Sequence, residues 1–194
     1  MKKSNSILKS TKKPGIYEKK IIKTLERHFD KLGYQVFPHS RFDIAWGSII
    51  SDLDLLLLKG DELTLIEVKS SHDNLGRIKK QFPLFQDYID YFYIATDYYP
   101  KKWPMRKAGQ IVVTDSKVEL LKKPKPLTKD PSIDSVMSLK KDAICKLAGL
   151  AKRECNKHTK YDLAVEIKNN YESVELKNQL KEIVTCGKLE YLKK

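Results

Sequence analysis

The stretch DLDLLLLKGDELTLIEVKS, residues 52–70, decides the fold. It holds two apolar runs, Asp52 to Lys59 and Glu62 to Ser70, joined at Gly60-Asp61. Gly accepts the positive φ of a tight turn, so the pair reads as a two-residue hairpin loop. Both strands are apolar on both faces, as central strands covered by helices are. With that loop Lys59 pairs with Glu62, and counting outward sets Asp54 directly opposite Glu67. Cross-strand neighbours have Cβ atoms roughly 4.5–5.5 Å apart, where like charges oppose folding unless something neutralises them. Lys69 follows two residues after Glu67, on the same face and opposite Asp52. A divalent cation between the carboxylates, with an ammonium beside it, accounts for the arrangement. The bland alternative is a charge pair on a solvent-exposed edge, and Leu55 to Leu58 with Leu63 to Ile66 are too apolar for that.

Before the hairpin, Ile21, Ile22, Leu25, Phe29 and Leu32 recur at helical spacing from Ile16 to Leu32, with Gly33 as a stop. Glu18 falls within this apolar arc, and a carboxylate there needs a partner, so it is expected to turn toward the acidic pair. Its alternative is a first-turn residue favoured by the helix dipole. Tyr34 to His39 and Arg41 to Trp46 read as extended. After the hairpin come a helix over Leu75 to Ile89 with Pro83 as a kink or break, a buried strand Tyr91 to Thr96, and short strands Gln110 to Asp115 and Val118 to Leu121. This order predicts an α/β protein with a helix-flanked sheet. Lys122 to Pro131 reads as a linker, and the rest as helices over Ile133 to Cys155, Tyr161 to Lys168 and Val174 to Cys186, with Ser173 as N-cap and Gly187 as stop. The last two helices could form a helix-turn-helix; a small bundle packed on the preceding domain is the favoured reading. Residues 1–15 read as a flexible basic arm.

The formal charge of +13 comes almost entirely from lysine, since Arg27, Arg41, Arg77, Arg106 and Arg153 are the only arginines. That favours a polyanionic partner, with general lysine enrichment as the competing explanation. Cys145, Cys155 and Cys186 are odd in number and lack C-x-x-C spacing, so neither a disulfide framework nor a zinc site is expected. No apolar run approaches membrane-spanning length and the lysines of the amino terminus precede no apolar segment, so a cytoplasmic protein is the simplest reading. His28, His39, His72 and His158 show no metal-ligand spacing; His72, just after Lys69, is a candidate phosphate contact, with an ordinary loop histidine near a helix start as the favoured alternative. Tyr98, Tyr99 and Trp103 are candidate base contacts.

A helix with Glu18, then Asp54, then Glu67-Val68-Lys69 after a hairpin resembles the PD-(D/E)XK nuclease superfamily. The stretch IEVKSSHDNLGRIKKQFPLFQDYIDYFYIATD with GQIVVTDSKVELLKKP further resembles the MmcB-like DNA-repair proteins, over Ile16 to Pro126. The resemblance implies a restriction-endonuclease-like mixed β-sheet flanked by helices over residues 16–126, with a helical carboxy-terminal extension over 127–194. It implies an Mg²⁺-dependent nuclease, with Mn²⁺ as the alternative ion, that hydrolyses phosphodiester bonds of DNA in repair or processing. A binding module that keeps the fold and cuts nothing is the alternative. By the same resemblance Asp54, Glu67 and the Val68 carbonyl hold the metal, Lys69 orients water, and Glu18 holds a second metal or a water. Gln81 of the following helix is a candidate supporting residue, with a plain surface glutamine as the favoured alternative. Leu53 replaces the motif's proline, and Asp52 is a competing carboxylate one strand step away. The expected partner is nucleic acid, DNA before RNA, with no membrane and with a homodimer allowed.

Overall fold

The computed structural model describes residues 15–42, 44, 53–114, 117–128 and 130–185, with the backbone alone at Leu84. Residues 1–14 of the basic arm, Asp52, Cys186 and Gly187, and three of the six residues from Arg41 to Trp46, lie outside the described residues. Six strands form one mixed sheet in chain order: β1 (Gln35–Ser40), β2 (Leu53–Lys59), β3 (Glu62–Lys69), β4 (Tyr91–Thr96), β5 (Gly109–Thr114) and β6 (Lys117–Lys122). The pairs β3/β4 and β4/β5 are parallel and the others antiparallel. Gly60 takes φ +60, and Lys59 pairs with Glu62 through to Leu55 with Ile66. The two-residue loop therefore sets the register that the sequence predicts.

Strand alternation divides the core. Leu55, Leu57, Ile66 and Val68 face helix α1 (Ile16–Lys31) and meet Ile21, Ile22, Leu25 and Phe29. Leu56, Leu58, Leu63 and Leu65 face the other way, toward α2 (Ile78–Phe85) and the carboxy-terminal helices. Asp54, Glu67 and Lys69 share the parity of this second set. The helix expected over Leu75 to Ile89 is shorter: a 3₁₀ turn, Leu75–Arg77, precedes α2, and Pro83 lies inside α2.

The carboxy-terminal third departs from the sequence reading in four places. The stripe over Ile133 to Cys155 is three short helices, α3 (Ile133–Met137), α4 (Lys141–Leu147) and α5 (Lys152–Cys155). Breaks at Ser138 and at left-handed Gly149 let each segment turn its apolar side inward. Glu172 is the N-cap of α7 (Ser173–Val184), and the Ser173 hydroxyl instead donates to Asp130. Cys145 and Cys155 are joined by a disulfide, with Cα atoms 5.7 Å apart, where no disulfide was expected. Turns around Gly149 bring the two together, and spacing in the chain does not reveal that. Finally, the proline- and lysine-rich segment is docked: Leu127 is buried, its N–H donates to the Asp90 carbonyl, and Lys177 donates to its carbonyl.

The helical extension packs on the sheet. Leu163 and Ile167 of α6 (Lys160–Asn170) and Leu176 and Leu180 of α7 join the same apolar cluster as Leu63 and Phe92. Tyr88 donates to the Ser135 carbonyl, and Asp87 accepts from the Ser132 and Ser135 hydroxyls. Buried Lys181 forms a 2.9 Å ion pair with Asp90, whose carboxylate also accepts from the Leu63 N–H. Among the described residues no helix is long and apolar enough to cross a membrane.

Candidate active site

The site forms at one end of the sheet, where β2 begins and β3 ends. Extending the hairpin register by one step sets Asp54 across from Glu67, and both are nearly enclosed, 9% and 4% exposed. Asp54 Oδ2 accepts the Val68 N–H at 2.8 Å, which fixes one carboxylate oxygen against β3. Lys69 Nζ lies 2.5 Å from Glu67 Oε1 and 3.3 Å from the Val68 carbonyl oxygen. Two buried carboxylates with one ammonium, paired to Glu67, carry a strong electrostatic imbalance. Burial, then the Glu67 charge, push the Asp54 carboxyl well above the usual carboxylate range, with Glu18 adding to the rise. Lys69 and the Val68 hydrogen bond oppose that rise without cancelling it. Burial alone would lower Lys69, but Glu67 and Asp54 outweigh it and raise the ammonium above its ordinary value.

Glu18 reaches this end of the sheet from the first turn of α1, which covers the opposite face. It is half-buried and accepts the Gly15 N–H at 3.4 Å in a capping box. It therefore serves its own helix start while its charge still bears on Asp54. Among the described residues no three His, Cys, Asp or Glu side chains are grouped to hold a metal. The carboxylates brought face to face are two, Asp54 and Glu67. Gln81 lies on α2, and its Oε1 is buried without a hydrogen-bond partner. That atom is an unmet acceptor in the helix that follows the motif strand.

Several features of this end were not anticipated. Asp73 accepts from the Ser70 N–H and hydroxyl at 2.8 and 2.7 Å, closing the chain into a turn directly after Lys69. Burial would raise Asp73, but those two bonds, with Lys69 and Arg77, bring its carboxyl below the usual range. The S-x-x-D spacing of Ser70 and Asp73 is a turn signal that could have pointed to it. On the other side of Asp54, β1 pairs with β2 at Pro38 and at Ser40 and skips His39, which stands opposite Asp54 in the register. Among the described residues His39 is the one non-glycine with positive φ, at 46. The Ser40 hydroxyl beside it is buried and unpartnered. No local pattern in the sequence signals that conformation. Trp103, a candidate base contact, packs partly buried against the core, and Tyr99 stays exposed with its hydroxyl on Glu119.

The donor set suits a hard cation. Asp54, Glu67 and the Val68 carbonyl offer only oxygen, the ligand type of Mg²⁺ and Mn²⁺. Lys69 Nζ rests on two of those oxygens, Glu67 Oε1 and the Val68 carbonyl.

No protein-family model matches the chain, and no curated protein matches it. Two solved structures are similar. The SPO1766 protein of unknown function from Silicibacter pomeroyi is 16% identical, with a TM-score of 0.47, covering 82% of this chain and 86% of that one. A protein of unknown function, AF1548, is 12% identical with a TM-score of 0.39, covering 88% of this chain and 98% of that one.

Proposed function

We propose that the chain is a metal-dependent nuclease of the PD-(D/E)XK, restriction-endonuclease-like type that hydrolyses phosphodiester bonds of DNA. The observation that carries this reading is the convergence of Asp54, Glu67 and Lys69 at one sheet end, with Lys69 resting on oxygens suited to a divalent cation. Two carboxylates in a nearly closed site are costly without a counter-ion, and a folding role alone would be served by apolar residues. The charge of +13 supports a polyanionic substrate.

Asp54, Glu67 and the Val68 carbonyl would hold the ion. When bound, it would polarise the phosphate and lower the pKa of water at the site. The Val68 N–H holds Asp54 Oδ2 in place, which leaves Oδ1 as the oxygen that would meet the ion. Lys69, whose ammonium rests on Glu67 Oε1 and the Val68 carbonyl, would be placed to donate to the attacking water or to a phosphate oxygen. Hydrolysis forms one P–O bond from water and breaks one ester P–O bond; the water proton leaves to solvent and the departing oxygen takes another. Lys69 stabilises the charge that builds on phosphorus. Glu18, tied to the start of α1, bears on Asp54 through its charge.

The test is a panel of labelled single-stranded, duplex, flap and branched DNA and RNA with Mg²⁺, Mn²⁺ or EDTA. Cleavage that needs the ion and is lost in Glu67→Gln supports the reading. Binding without cleavage in every ion supports the non-cutting module instead.

A further inference from the structure

At the sheet end where β3 finishes, the first turn of α1 and the turn after β3 hold an exposed aromatic contact. Tyr17, adjacent to Glu18, packs its ring on His72, with centroids 4.9 Å apart and planes inclined by 40°. Both side chains are exposed, Tyr17 by 58%. Every other ring contact among the described residues includes a buried ring. A pair left in water gains little from burial, and its apolar faces stay open to a third ring.

Next to this pair lies a hollow of about 300 Å³. Tyr17, Lys20 and Thr24 line it from α1, and Asp97, Val113 and Thr114 from the ends of the parallel strands β4 and β5. Its volume is at the small end of the range for ligand pockets. The chemistry of its wall is mixed: an aromatic face, an exposed ammonium, two hydroxyls and a carboxylate. Asp97 Oδ1 accepts the Ser71 N–H at 2.7 Å, so the hollow is tied to the turn two residues beyond Lys69. The hollow lies on the α1 face and Lys69 faces away from it, so a strand with a phosphate at Lys69 would reach the hollow by rounding this end of the sheet over the Ser71 turn.

We propose that the hollow takes one unpaired nucleobase from the strand being cut, which makes the substrate single-stranded, frayed or flipped at that nucleotide. Tyr17, supported by His72, supplies the stacking face. Lys20 meets the adjoining phosphate, and Asp97 accepts from an exocyclic amino group. A base held in a duplex has both faces stacked and its Watson–Crick edge occupied, so it cannot use these groups without leaving its pair. The inference rests on the nuclease reading for the direction of the strand, and binding tests it separately from cleavage.

The experiment is fluorescence anisotropy of the full chain in Ca²⁺ with a labelled single strand, the same strand carrying one abasic site at each position in turn, and a blunt duplex. Wild type should bind the single strand, and an abasic site at one position should weaken it roughly tenfold, the effect of one lost base stack. Tyr17→Ala should weaken the intact single strand by about the same factor, and the abasic strand should then show no further loss. Tyr17→Phe should behave as wild type, and duplex binding should be the same in all three. Melting curves report whether the variants fold; the abasic scan on wild type reports a base contact with no substitution, and its disappearance in Tyr17→Ala assigns that contact to the hollow. No position-specific abasic effect in wild type, or Tyr17→Ala binding equal to wild type, or equal losses for single strand and duplex, would each overturn the proposal. If the abasic effect is present and no substrate is cut in any metal, the hollow stands and the nuclease reading fails. If cutting depends on metal and Glu67 while the abasic scan is flat, the reverse holds.

Discussion

Replacing Asp54 separates its two structural duties, holding charge and accepting the Val68 N–H. In metal-free protein the buried Asp54 carboxylate stands beside Glu67 with its proton held above the ordinary value, so ionising it opposes folding. Asp54→Asn removes that charge and keeps an oxygen for the Val68 N–H, now 2.8 Å from Oδ2, while its NH₂ can donate toward Glu67. Asp54→Ala removes the charge and also leaves that buried N–H unpaired, at a cost of about 1–3 kcal/mol. In EDTA at neutral pH the order of stability should therefore be Asn above wild type, with Ala below Asn by ~1–3 kcal/mol. For a chain of this size each kcal/mol corresponds to ~2–4 °C in Tm. The sign with pH follows from linkage. The folded state binds the Asp54 proton more tightly than the unfolded chain does, so wild-type stability from this group is full below about pH 4 and is lost as pH rises through the raised folded value. The advantage of Asp54→Asn should be near zero at about pH 4 and should grow toward neutrality. Mn²⁺ at 100 times its dissociation constant should stabilise wild type by about 2.7 kcal/mol and leave Asn and Ala nearly unmoved. Thermal melts of the three proteins, with EDTA and with Mn²⁺, at several pH values, measure all of this without a substrate. If wild type and Asp54→Asn melt alike at every pH and neither responds to Mn²⁺, the carboxylates do not share a charged site and the reasoning fails.

Three further outcomes are expected. Lys69→Met should lose ~3 kcal/mol or more in EDTA, because breaking a nearly buried pair strands Glu67, and it should show a larger Mn²⁺-induced rise in Tm than wild type, since the competing ammonium is gone; an equal metal response would mean that Lys69 does not cover the ion's oxygens. His39→Gly should raise Tm, by about 1 kcal/mol, by relieving a left-handed residue, with Asn intermediate, and a lower Tm in the glycine variant would show that the imidazole itself holds β1. Asp90→Ala should destabilise by ~3 kcal/mol or more in urea unfolding because it leaves Lys181 uncompensated and the Leu63 N–H unpaired, whereas loss of less than about 1 kcal/mol would show that the carboxy-terminal helices hold the sheet without that pair.

What the sequence by itself determined is local and periodic. A two-residue loop leaves one register, and once Lys59 faces Glu62 the alternation of side chains carries Asp54 to Glu67 and Lys69 to the same face with no further information. The apolar arc of α1 and the buried runs of β2 to β5 follow from the same kind of count. Tertiary structure decided whatever depends on elements meeting across chain separation. Glu18 satisfies its own helix start while its charge falls on Asp54, and only the placement of α1 over the strand ends makes both true. The contact of Tyr17 with His72, the left-handed His39 opposite Asp54, and the bridge between Cys145 and Cys155 have no periodic signature, because each arises from how turns fold back on distant neighbours. The carboxy-terminal stripe shows the limit most directly: its apolar spacing fits one long helix, but three short helices broken at Ser138 and Gly149 bring its apolar residues into the cluster with Leu63 and Phe92. Helical periodicity fixes which residues are buried, and the shape of the surface they cover fixes where the helix must break.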